Sequence, residues 1–186
     1  MSTTGRRLHV GGREAREGWE ILNIQAGESV DHVGDAVDLA RFADGTFEEV
    51  YASHVLEHFD YRDGLLAALK EWFRVLAPGG SLRLSVPDLD ALAALLLQRQ
   101  RLDINQRFQV MRMIFGGHVD AHDYHQVGLN QDFLSAFLYE AGFTDLRRVT
   151  RHGLFQDTSD IQLAGTAISL NLVAKKPARV AEAVPA

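Results

Sequence analysis

The sequence predicts a doubly wound α/β fold whose mostly parallel seven-stranded sheet ends in an antiparallel last strand. Three observations predict it. Segments rich in branched and large apolar residues recur at Leu8–Val10, Glu20–Ile24, Asp31–Val33, Glu48–Ser53, Ser81–Val86, Asp145–Thr150 and Ala167–Ala174. Between the later ones lie stretches with apolar residues at spacings of three and four, and strands joined by helices run parallel through right-handed crossovers. The last two segments break the alternation. Only Arg151–Thr166 joins them, without a helical pattern, so they are expected to pair as an antiparallel hairpin at the sheet edge.

The elements follow in order. Gly12–Trp19 and Gln25–Val30 are too short for full crossover helices, so the first crossovers are shortened and one side of that sheet half is expected to lie bare. A homodimer or a partner protein is the expected cover. Along Arg62–Leu76 the set Leu65, Leu66, Leu69, Trp72, Phe73 and Leu76 forms one buried face, which Ala77-Pro-Gly-Gly80 ends. Asp88 can cap a helix carrying Leu89, Leu92, Ala93 and Leu96. Asn130 can cap another carrying Phe133, Leu134, Phe137 and Leu138, closed by Gly142. A further helix over Ile104–Phe115 puts Phe108, Met111, Arg112 and Phe115 on one face, read as core packing, with Gly116-Gly117 as its stop. One domain, residues 6–176, contains an inserted unit at 102–128, and residues 177–186 read as a loose tail.

Composition narrows the chemistry. With 186 residues, 46% of them hydrophobic and 24% charged, the chain has the make-up of one globular domain. Its net charge of -6 gives no electrostatic grip on nucleic acid, so no nucleic-acid partner is expected. No apolar run reaches the length of a membrane helix and Met1–Gly12 lacks a signal peptide's apolar stretch, so the chain reads as cytoplasmic without a membrane span. Without cysteine, disulfides, thiolate nucleophiles and thiolate metal ligands are excluded. Eight histidines supply the base suited to neutral pH.

Four segments, in order, resemble class I S-adenosylmethionine-dependent methyltransferases of the small bacterial type 11 kind. They are Leu8-His-Val-Gly-Gly12; Gly34-Asp-Ala-Val-Asp-Leu39 with Phe42-Ala-Asp-Gly-Thr-Phe47; Glu49-Val-Tyr-Ala-Ser-His-Val-Leu-Glu-His58; and Leu69 through Leu84 with its Pro-Gly-Gly turn. The lone Gly11-Gly12 pair is a weak signal, whereas the second and third segments followed by the fourth are specific. The region Phe115–Phe143 is also similar to small methyltransferases found among glycan-assembly enzymes. The resemblance implies a Rossmann-like methyltransferase fold and S-adenosyl-L-methionine as cofactor. Gly11 and Gly12 would face its amino-acid end, Asn23 the ribose, Asp35 and the backbone of Ala36 the adenine, and Ser53 and His54 the sulfonium. The chain departs from the family in having two glycines in its first turn and an amide, Asn23, where an acidic residue is usual.

Methyl transfer to a hydroxyl or amine of a small-molecule or glycan-type acceptor needs in-line positioning and a base. The run His118-Val-Asp-Ala-His-Asp-Tyr-His125 can fold over the strand ends as an acceptor lid. His125 is the candidate base, and His58, His118, His122, Asp123 and Tyr124 are candidate acceptor contacts. Solvated loop residues or a helix cap explain the same run, and a tie from its loop to the sheet explains His58 equally. Two other readings stay open: a non-catalytic methyltransferase-like subunit, and a metal-dependent hydrolase using His118, His122 and His125 at spacings of four and three.

Overall fold

The computed structural model describes residues 5–178. All but two residues of the expected tail therefore lie outside the described residues. Nine strands and four α-helices follow one another as β1 (Arg6–Val10), β2 (Trp19–Asn23), β3 (His32–Val33), β4 (Phe47–Ser53), α1 (Gly64–Val75), β5 (Leu76–Pro87), α2 (Leu89–Leu97), α3 (Ile104–Phe115), α4 (Gln131–Glu140), β6 (Thr144–Val149), β7 (Gln162–Leu163), β8 (Thr166–Ala167) and β9 (Ser169–Lys175). The main sheet has the order β3-β2-β1-β4-β5-β9-β6. Its first five strands are parallel, and β9 is antiparallel to both β5 and β6. The last two sheet strands do pair antiparallel, but β9 lies inside β6 and not on the edge. Its burial explains this: Ser169 through Ala174 are all buried, as a strand with neighbours on both sides must be.

The helix ends are set by the chemistry the sequence displays. Asp88 accepts from the backbone N–H groups of Asp90 and Ala91, and Asn130 accepts from that of Phe133 at 2.9 Å. Asp103 and Gln106 form a reciprocal capping box on α3. After α1 the Pro-Gly-Gly turn becomes a bulge: Leu76 pairs with Phe47 and Ser81 with Glu49, so the four residues between them bow out of the ladder.

The main core lies on one face of the sheet, where Leu65, Leu69 and Trp72 of α1 and Leu134 and Leu138 of α4 pack on Leu8, Val10, Val50, Leu82 and Leu172. Strand alternation sends His9 and Tyr51 to the opposite face. No helix joins β1, β2, β3 and β4 among the described residues, so these crossovers are plain loops. The face they would cover is not bare. The segment after β6 folds back, packing Phe155 against Trp19 and stacking it on Tyr51 and His9 at ring distances of 5.3 and 4.0 Å. Tyr51 donates to Asp157, the Arg16 guanidinium donates to the Leu154 carbonyl, and Glu14 accepts from the Gln156 N–H. Burial pushes the His9 imidazole down to about 4, so it stays neutral beneath the phenyl ring. The chain thus supplies a cover that the sequence assigned to a partner.

The expected packing of α3 is corrected as well. Phe108 and Phe115 are 59% and 55% exposed, while Val110 is buried with Leu92 and Leu95 of α2, and Met113 and Ile114 pack against that cluster. Helix α3 meets a neighbouring helix along this narrow stripe, so its large aromatic residues fall on the outer side.

Candidate active site

A cleft of about 610 Å³ opens beyond the carboxyl ends of β1, β2, β3 and β4, where ligands bind in open α/β sheets. Of the residues singled out from sequence, Gly11, Asn23, Asp35, Ala36, His54, His58, His122, Asp123 and Tyr124 line it. Gly12 and Ser53 line an adjoining cavity of about 320 Å³ with Glu14, Gln156 and Asp157, and Gly11 borders both. His118 and His125 line neither.

Each wall has a local cause. Gly11 has φ +78°, and a Cβ there would stand 2.5 Å from Val55 Cγ2. Only glycine lets this turn approach the loop after β4. Asn23 is buried, and its amide donates to the carbonyls of Gly11 and Gly12 at 3.1 and 3.0 Å while accepting from the Gln25 N–H at 2.9 Å. It therefore braces the glycine turn with both of its N–H groups. Gln25 accepts from Arg13 at 2.5 Å and donates to Asp120 of the lid at 3.4 Å, linking the first loop, the second loop and the lid. Asp35 is exposed in the cleft wall, and its Oδ1 takes the Val37 N–H at 3.1 Å, which leaves Oδ2 free of that bond. Trp72 Nε1 holds the next carbonyl, that of Ala36, at 2.9 Å.

The lid is positioned by Gly116 and Gly117, where any Cβ would meet Asp123. The chain reverses there, with His118 N–H donating to the Asp123 carbonyl and His125 N–H to the Phe115 carbonyl. Residues 124–127 are then laced to the 3₁₀ turn Leu56–His58. The Gln126 N–H donates to the Glu57 carbonyl at 2.8 Å, its side chain donates to the His58 carbonyl at 3.0 Å, and His58 Nδ1 meets the Tyr124 carbonyl at 3.2 Å. His118 hydrogen bonds the Phe115 carbonyl and stacks on Tyr124 at 4.0 Å, which holds that ring in the wall. His125 lies behind the wall, its Nδ1 3.3 Å from the Ile114 carbonyl and its Nε2 3.9 Å from Glu57. Burial pushes its imidazole below the usual histidine range.

The sequence of residues 16–84 matches the family model of a methyltransferase domain. The likeness is to a methyltransferase domain over this stretch, which is less than half of the chain. No curated protein matches it. Solved structures share its fold at low identity. A methyltransferase from Archaeoglobus fulgidus has a TM-score of 0.61 at 16% identity, over 92% of this chain and 86% of that one. A Bordetella parapertussis chain described as a possible exported protein has a TM-score of 0.57 at 16% identity, over 93% of this chain. Phosphoethanolamine N-methyltransferase 2 of Haemonchus contortus, solved in complex with S-adenosyl-L-methionine, has a TM-score of 0.55 at 13% identity, over 95% of this chain. The present chain spans 62% and 50% of these last two chains.

The residues present fit S-adenosylmethionine, the cofactor that the resemblance implies. A backbone approach kept open by Gly11, a carboxylate oxygen at Asp35, and the buried Ser53 hydroxyl, which has no hydrogen-bond partner in the neighbouring cavity, offer the contacts it needs. No helix among the described residues is long and apolar enough to cross a membrane.

The metal arrangement of His118, His122 and His125, weighed from sequence as an alternative, does not form. His118 is tied to Phe115 and only His122 faces the cleft. Among the described residues, the group whose ligand atoms converge is Glu57, His58 and His125. Sequence reasoning missed Glu57, Arg13, Gln25 and the lid contact of Asp120. Glu57 sits in the quoted Leu-Glu-His triplet, and a carboxylate between two apolar strand-end positions and a histidine was its only signal.

Proposed function

We propose that this chain is a class I S-adenosylmethionine-dependent methyltransferase that moves a methyl group to a hydroxyl or amine of a small-molecule or glycan-type acceptor, with His122 as the base. The observation that carries the reading is a single cleft with the Asp35 loop on one wall and the histidine-bearing lid on the other. S-adenosylmethionine supplies a methyl group on a positively charged sulfur. The residues of the chain bind and orient. Asp35 Oδ2 would accept the adenine amino group beside the Ala36 backbone, Gly11 and Gly12 would let the amino-acid end approach, and Ser53 and His54 would stand near the sulfonium. The amide of Asn23 braces the turn, so we assign the ribose hydroxyls to Gln25, two residues on. At the acceptor end His58, Asp123 and Tyr124 would orient the nucleophile while His122, exposed on the lid, takes its proton. His125 acts through the position of Tyr124 and is a positioning residue.

Incubation with labelled S-adenosylmethionine and a panel of hydroxyl- and amine-bearing sugars and small molecules tests this directly. The expected result is acceptor-dependent formation of S-adenosylhomocysteine. His122→Asn should lower kcat by about 100-fold and leave cofactor affinity within about twofold. Turnover with no acceptor in the panel, or unchanged turnover in His122→Asn, would contradict the proposal.

A further inference from the structure

Beneath the lid, Glu57 is 1% exposed, and the closest donor-capable atom to its carboxylate is His54 Nδ1, in a contact too poorly aligned to count as a hydrogen bond. A buried carboxylate is costly unless a positive charge compensates it. Three imidazoles surround it. His54 Nδ1 is 3.2 Å away, His125 Nε2 is 3.9 Å away, and the His58 ring meets that of His125 edge-on with centroids 4.9 Å apart. One ligand atom from each of Glu57, His58 and His125 lies within 4.8 Å of the other two.

We infer that Glu57, His58 and His125 form a binding site for one divalent transition-metal ion, at the acceptor end of the cleft. The unused nitrogens support this. His58 Nδ1 faces the Tyr124 carbonyl and His125 Nδ1 faces the Ile114 carbonyl, so each ring donates from Nδ1 and keeps a lone pair on Nε2. Metal-binding imidazoles are oriented by such a second hydrogen bond. Two neutral imidazoles and one carboxylate are the donor set of zinc sites that keep an open position, and they also suit Co²⁺ and Fe²⁺. Bonds of about 2.1 Å set tetrahedral donors roughly 3.4 Å apart, so side-chain rotations of about 1 Å would bring the three together. His54 completes the surroundings by contacting Glu57 on one side and Ser169 Oγ, at 3.0 Å, on the other.

His58 lines the cleft, so an ion held there has its open position toward the acceptor, where it would lower the pKa of a bound hydroxyl. This role rests on the methyl-transfer reading above, whereas binding of the ion does not.

The test is titration of metal-stripped full-length protein with Co²⁺, followed by its visible absorption and by elemental analysis after exchange into Zn²⁺. One equivalent is expected, with affinity at least about 100-fold weaker in Glu57→Gln and in His58→Gln, and unchanged in His118→Gln. His58→Gln changes a half-buried residue at the cleft wall and keeps the measurement decisive if Glu57→Gln fails to fold. Absence of stoichiometric binding, or binding that survives in His58→Gln, would overturn the site. S-adenosylhomocysteine affinity, measured on the same stripped protein, separates the two readings: protein that binds the nucleoside but takes up no Co²⁺ loses only the metal site, and protein that binds Co²⁺ but no nucleoside loses only the methyl-transfer reading.

Discussion

Gly11→Ala is expected to weaken S-adenosylhomocysteine binding by at least about tenfold while the protein stays folded. The left-handed backbone at Gly11 costs a side chain about 1–2 kcal/mol. The new methyl group would also press on Val55 Cγ2, in the wall that the cofactor must share. The turn cannot relax freely, because the Gly11 N–H donates to the Leu22 carbonyl at 2.8 Å and its own carbonyl is held by Asn23. A second substitution, Val55→Ala, should restore part of the affinity by removing the contact but not the φ strain. Calorimetric affinities of the single and double variants check this, and a Gly11→Ala protein that binds within twofold of the parent would contradict it.

Trp72→Ala is expected to lower stability by about 3–5 kcal/mol, the usual result of deleting a large buried aromatic. Trp72 is fully buried in the main core, where α1 meets the sheet. It also carries function, because its indole N–H holds the Ala36 carbonyl beside Asp35. Trp72→Phe separates the two roles. Keeping most of the ring while leaving that carbonyl without its donor should cost about 1–3 kcal/mol and should reduce S-adenosylhomocysteine affinity as well. Urea unfolding and calorimetry on both variants provide the measurement. Nucleoside affinity unchanged in Trp72→Phe would show that the loop does not depend on this bond.

Much of this was legible in the sequence because local chemistry dictated it. The caps Asp88 and Asn130, the stripe on α1 and the glycines around the lid act within a few residues, and each appears in the structure where its pattern lay. The misses were contacts between distant segments. Phe155 covers Trp19 and Tyr51 from more than a hundred residues away, so nothing near β1 or β2 could signal that their open face was filled. Asn23 sits where the ribose ligand belongs, yet its partners are the carbonyls of a turn already short of a third glycine. The α3 pattern offered two apolar stripes, and only the position of α2 decided for Val110 over Phe108 and Phe115. His125 had the right chemistry for a base, but lacing of residues 124–127 to the Glu57 turn carries it behind the wall and leaves His122 in front.

The central claim is that this cleft binds the methyltransferase cofactor through Asp35. Calorimetric titration of the full-length protein with S-adenosylhomocysteine tests it most directly. One site per chain is expected, weakened about tenfold or more in Asp35→Ala, as for loss of a hydrogen bond to a charged group, at an unchanged melting temperature. No binding at millimolar nucleoside, or equal affinity in Asp35→Ala, would contradict it.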